Sequence, residues 1–139
     1  LRWIVLTVVV ALTISRAFAC SGPESQRGQT RDINFDFNSS TISNTEVLAL
    51  ANWIVDSRIN LSALEGTSIV GLADMREHDP QRIAQRRAET VKQALDMLQV
   101  RSATTEVVAH VYQPMMPDSK YEPTGTRVEV TLIPACSDK

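Results

Sequence analysis

The sequence predicts an α/β fold of order β-α-β-α-β-β. This is a two-layer sandwich with a mixed four-stranded sheet and the helices on one face. Three observations carry the prediction. Strand-like apolar patterns occur at 32–38, 67–74, 104–112 and 126–133. Two stretches of helical spacing separate the first three of them. The connection before the last strand, 113–124, is long and carries three prolines. Each strand-helix-strand step favours a parallel, right-handed crossover, whereas that last connection permits either direction, hence a mixed sheet.

The chain has 139 residues and opens with a segment set apart from the fold. Residues 1–19, LRWIVLTVVVALTISRAFA, combine a short basic start, an apolar run and a small-residue ending at Ala19. That is the layout of a secretory signal, and the run is short for a membrane span. Cleavage before Cys20 removes Arg2 and Arg16, leaving 12 basic against 16 acidic residues and a net charge of -4. No dense basic block is present to meet a nucleic-acid backbone. The same mild acidity opposes adhesion to anionic lipid. Residues 20–31 are polar and read as a flexible tether, leaving 32–136 as one domain.

Within the domain, Ile33, Phe35 and Phe37 alternate along a half-buried first strand. Ser43 and Glu46 form a capping box. Behind it Val47, Leu48, Ala51, Ile54 and Val55 set out a helix running to about Ile59. Residues 62–66 read as a turn, and Ile69, Val70 and Leu72 as a second strand ending on Asp74. Asp79 is a suitable helix cap, and Pro80 suits the first helical position, where no N–H is required. The stripe Ile83, Ala84, Ala88, Val91, Leu95 and Leu98 then defines a second helix. Val107, Val108 and Ala109 mark a third strand. Val128, Val130 and Leu132 alternate along a fourth.

Two cysteines, Cys20 and Cys136, lie at the two ends of the mature chain. Two readings remain open. Cys20 is the acceptor of a lipid anchor, or it forms a disulfide with Cys136, which export would allow. Two cysteines do not make a metal cluster, and neither His78 nor His110 has a ligand-spaced partner. No nucleophile–base arrangement and no cofactor motif is evident, so composition and motifs point away from an enzyme.

The chemistry that stands out is one carboxylate and one guanidinium. Asp74 ends its strand where open α/β sheets place ligand groups. Arg87 flanks the helical stripe and is expected to lean toward the same sheet edge, with Arg86 turned about 100° away and more exposed. A guanidinium fork can hold a planar carboxylate, and Asp74 can receive an ammonium. The pair suits a small zwitterion. The plainer reading is that Asp74 and Arg87 bond each other or local backbone.

Four separated motifs resemble the OmpA-like peptidoglycan-binding domain. They are INFDFNSSTI at 33–42, Gly71-Leu72-Ala73-Asp74, IAQRRAETV at 83–91, and Gly125-Thr126-Arg127-Val128-Glu129. The likeness spans about 32–133. It implies a noncatalytic module without a cofactor, at the periplasmic face of the outer membrane. The implied partner is the diaminopimelate residue of a peptidoglycan stem peptide, held by Asp74 and Arg87, with membrane contact only through a lipid on Cys20. The chain departs from the family pattern in Ala73 for the usual Thr, a shortened loop after Asp74, Pro80 for an Asn, and Gly125-Thr126 for Asn-Arg. A second expectation follows from these departures: an envelope assembly or protein-interaction domain with a degenerate peptidoglycan site, presenting Met115, Met116 and Tyr121 as an adaptable patch.

Overall fold

The computed structural model describes residues 30–57 and 64–134. The signal, residues 20–29 of the expected tether, both cysteines and the stretch 58–63 lie outside the described residues. Thr30 and Arg31, expected in the tether, already belong to the first strand because they pair with Thr131 and Val130. The elements are β1 (Thr30–Asn34), α1 (Asn44–Asp56), β2 (Leu64–Asp74), α2 (Pro80–Met97), β3 (Ser102–Tyr112) and β4 (Arg127–Pro134). Their order and class are those the sequence predicts.

The sheet order is β1-β4-β2-β3. β2 and β3 pair in parallel, while β4 runs antiparallel to both β1 and β2. The last strand thus inserts between β1 and β2, and the chain must pass over β2 to reach its slot. That explains why 113–126 is long. Once β4 is in place, Ile69 lies opposite Val130 and Gly71 opposite Val128. These face the helices and join Ile33, Leu50, Ile54, Ala88, Val91 and Leu95 in one core. The alternate residues, among them Ser68, Glu106, Glu129 and Thr131, leave the other face polar.

Local chemistry decides several boundaries differently from the periodicity. The first strand ends earlier than 38. Phe35 stays buried and its N–H still bonds the Thr126 carbonyl at 2.8 Å, but Phe37 is 53 % exposed. The chain turns there because Asn38 takes a left-handed conformation (φ 59°), which Asn tolerates better than most residues. In α1 the buried positions are Leu50 and Ile54. Leu48 (63 % exposed) and Val55 (75 %) face solvent, a correction to the expected stripe. Both sets have helical spacing, so only contact with the sheet selects the face. The Ser43 hydroxyl accepts from the Glu46 N–H at 3.1 Å, but Glu46 Oε2 is buried without a partner, so only half of the expected capping box forms. β2 begins at Leu64, not after a turn at 66, because Leu64 and Gly66 pair with β3 and β4.

α2 follows the predicted stripe and packs closely on the sheet. A Cβ at Gly71 would lie 2.1 Å from the Ala84 carbonyl oxygen and 2.9 Å from the Ala88 methyl. Small residues on both sides therefore set the helix–sheet spacing. Gly71→Ala should lower stability by about 1–3 kcal/mol, since the helix must be pushed off β2. Chemical denaturation of both proteins checks this as a lower midpoint with an unchanged slope.

Candidate functional site

The carboxyl end of β2 delivers Asp74 to the sheet edge, and a five-residue loop returns the chain to α2. Asp74 and Arg87 both arrive at this end, but they do not bond each other. Asp74 is tied to Arg76: its Oδ1 accepts from the Arg76 main-chain N–H and Nε, each at 2.9 Å, and its Oδ2 accepts from an Arg76 terminal nitrogen at 2.9 Å. The guanidinium of Arg76 is exposed and its partner carboxylate partly so. The side-chain and main-chain hydrogen bonds from Arg76 lower the Asp74 pKa to about 2.

Arg87 is turned inward and is 0 % exposed. The expectation that it would lean toward the sheet edge is corrected: the side chain goes beneath the loops and meets Glu77, which is also buried. All five guanidinium N–H groups have acceptors. Nε donates to the Ser39 carbonyl at 2.8 Å. One terminal nitrogen donates to the Leu72 carbonyl at 3.0 Å and to Glu77 Oε2 at 2.7 Å. The other donates to the Asp36 carbonyl at 3.1 Å and to Glu77 Oε1. The face of the guanidinium lies 5.4 Å from the Phe35 ring centre.

Glu77 is equally saturated. Besides the two bonds from Arg87 it accepts from the Asn38 N–H at 2.7 Å and the Asp74 N–H at 2.8 Å. Four donors meet about four lone-pair positions. The pair is thus closed on itself, and it ties the 36–39 loop, the end of β2, the 75–79 loop and α2 together. The sequence reading missed Glu77. A signal was present, since Arg87 lies between Ala84 and Val91 on the buried stripe, and a buried arginine requires a paired charge.

Asp79 also differs from expectation. It precedes Pro80 with φ 51° and ψ 64°, a left-handed geometry, and its carboxylate makes no capping hydrogen bond. Helix capping falls to the main chain, with Ile83 N–H bonding the Asp79 carbonyl at 3.1 Å. Beside it lies an open depression of about 270 Å³ lined by Asn38, His78, Asp79, Arg82, Ile83 and Arg86. Asn38 is held in place, its Oδ1 accepting from the His78 N–H at 2.8 Å.

On the neighbouring strand Tyr112 pairs with Asp74. Its hydroxyl donates to Glu122, which also accepts from the N–H groups of Met115 (3.0 Å) and Met116 (2.9 Å). The hydrogen bond to Glu122 raises the Tyr112 pKa. The 113–124 crossing is therefore pinned at its centre while Met115, Met116 and Tyr121 stay exposed. Among the described residues no group of three His, Cys, Asp or Glu side chains could hold a metal ion.

The fold has solved counterparts. The OmpA-like domain of FopA1 from Francisella tularensis superposes with a TM-score of 0.55 at 19% identity, covering 79% of this chain and 75% of that one. The C-terminal domain of Helicobacter pylori MotB gives 0.57 at 18%, covering 78% and 85%. The peptidoglycan-associated lipoprotein from Burkholderia pseudomallei gives 0.50 at 22%, covering 74% and 88%. No family model and no curated protein matches the chain. The likeness establishes an OmpA-like fold.

Two expectations follow from the geometry. Arg87→Ala or Glu77→Ala should each cost about 3–5 kcal/mol, because each strands the other charge inside. The double variant Arg87→Ala with Glu77→Ala should lose less than the sum, which a double-mutant cycle by urea unfolding would measure. The Asp74 carboxyl should titrate in NMR with a midpoint near 2. Arg76→Gln should raise that midpoint toward the ordinary value of about 3.9. Because the folded-state pKa is lowered, the contact stabilises above the unfolded-state pKa and is lost as pH falls through about 2. Its contribution is small, since the guanidinium is exposed to solvent.

Proposed function

We propose that this chain is a noncatalytic, exported module that attaches an envelope component to peptidoglycan through the diaminopimelate residue of the stem peptide. The observation that carries the proposal is Asp74 at the carboxyl end of β2, in an OmpA-like fold, joined by the 75–79 loop to a polar depression on α2. One structural counterpart is by name a peptidoglycan-associated lipoprotein. Asp74 and Arg87 are the proposed ligand-binding pair. Asp74 receives the ligand ammonium in exchange for the exposed Arg76. Arg87 fixes the loops around the contact, and meets a ligand carboxylate directly only if Glu77 gives up its place. The proposed location is the periplasmic face of the outer membrane, with a lipid on Cys20 as the membrane attachment. A Cys20–Cys136 disulfide is the competing fate of that residue, and intact-mass measurement of the membrane-extracted protein separates the two.

A second reading is favoured by the closed Arg87–Glu77 pair and by the pinned crossing with its exposed Met115 and Tyr121. It is an envelope assembly domain whose peptidoglycan site has been internally filled. Cosedimentation with purified diaminopimelate-type sacculi decides between them. On the first reading the wild-type protein is retained, and Asp74→Asn weakens retention about tenfold or more, the range for losing a hydrogen bond to a charged group. Equal retention of wild type and Asp74→Asn would remove Asp74 from the site. No retention of the wild-type protein, with one specific envelope protein crosslinked in cells, would establish the second reading.

A further inference from the structure

The depression on α2 gathers three charged side chains that the fold leaves unused. Arg82 and Arg86 line it and are exposed. They stand four residues apart on one helix face, about 5–6 Å between Cβ atoms. Among the described residues neither guanidinium takes part in an ion pair or a side-chain hydrogen bond. Two like charges at this spacing repel each other, so an anion lodged between them relieves a strain the free protein carries. Asp79 lines the same depression, and its left-handed backbone withdraws the carboxylate from capping. Among the described residues it too has no cationic partner within ion-pair distance. Asn38 adds a rigid wall. Its Oδ1 is taken by the His78 N–H, which leaves its side-chain NH2 as a fixed donor.

This set contrasts with the two nearby charges the fold does use. Arg87 is closed off by Glu77, and Asp74 by Arg76. Two unpaired cations and one unpaired anion remain together in an opening of about 270 Å³. That is below the range of about 300–1,000 Å³ typical of sites for drug-sized ligands. A phosphate or sulfate would match the arginines but would face Asp79. A diamine would match Asp79 but would face the arginines. A carboxylate with an ammonium on the adjacent carbon satisfies both, because guanidinium groups grip carboxylates with directed, charge-assisted hydrogen bonds.

We propose that Asp79, Arg82 and Arg86, with the Asn38 amide, form a binding site for the zwitterionic head of an amino acid or of a peptide side chain. The peptidoglycan reading supplies only the source of such a head. The site itself rests on the unpaired charges.

The test uses the full chain and meso-diaminopimelate as the probe, followed by NMR amide shifts and calorimetry. Pimelate, which lacks ammonium groups, and cadaverine, which lacks carboxylates, serve as comparison ligands. Diaminopimelate should perturb residues 38 and 78–86 and bind at least tenfold tighter than either comparison ligand. Arg82→Gln with Arg86→Gln should weaken it at least tenfold. Asp79→Asn should erase the preference over pimelate. Lys92→Gln with Arg101→Gln removes two positive charges elsewhere and should change little. Asp79, Arg82, Arg86 and Arg101 are exposed and Lys92 is half-buried, so retained thermal unfolding would show that the fold is unaffected. The proposal is overturned if diaminopimelate does not bind, or if it binds equally to the Arg82/Arg86 variant. Sacculus binding read in parallel keeps the two claims apart. Sacculi retained equally by wild type and the Arg82/Arg86 variant would overturn this site and leave the peptidoglycan reading standing. Diaminopimelate held here by a protein that ignores sacculi would do the reverse.

Discussion

The buried ion pair of Arg87 and Glu77 is the constraint around which the ligand end of this domain is arranged. Nine hydrogen-bonding positions, five N–H groups and four lone-pair sites, are all occupied. Taking two charges out of water is costly, and mutual attraction offsets that cost only when the remaining donors and acceptors are satisfied. Here the partners that satisfy them are carbonyls and amides from two separate segments, the 36–39 loop and the end of β2. The pair therefore specifies where the 36–39 loop, the end of β2 and the 75–79 loop must sit relative to α2.

That geometry has a consequence for what the surface can offer. With Arg87 withdrawn, the charges within reach of solvent are Asp74 with Arg76 on one side, and Asp79, Arg82 and Arg86 on the other. The loop after Asp74 has only five residues, and Asp79 adopts a left-handed backbone before a proline, a conformation that sterics disfavour. The interior pairing and the exposed unpaired charges are thus two results of one short loop. Glu77 must point in, and within two residues the chain must begin a helix at Pro80.

The sheet supports this end from below. β4 lies between β1 and β2, so the two outer connections reach the same edge from opposite sides. Thr126, just before β4, accepts from Phe35, and Tyr112 at the end of β3 anchors Glu122 and the proline-rich crossing. Arg127 lies with its guanidinium 4.9 Å from the Tyr112 ring centre and bonds Glu129 at 2.5 Å. The crossing that carries Met115 and Tyr121 is consequently held by side chains, with its apolar tips facing outward.

The sequence by itself determined the class, the order of the elements and the extent of α2. Hydrophobic period and start signals are local properties, and Ile83 to Leu98 repeats its stripe over several turns. It also placed Asp74 at a strand end, which follows from the same local pattern. The tertiary structure decided the rest. The α1 face turned to Leu50 and Ile54 because two apolar stripes had equal spacing and only one could meet the sheet. The insertion of β4 depended on long-range pairing that no local spacing encodes. The partner of Arg87 depended on where a five-residue loop could deliver a carboxylate. A buried charge takes whichever opposite charge the folded backbone brings within hydrogen-bond reach. That was Glu77 and not Asp74, and only the packed loops could make the choice.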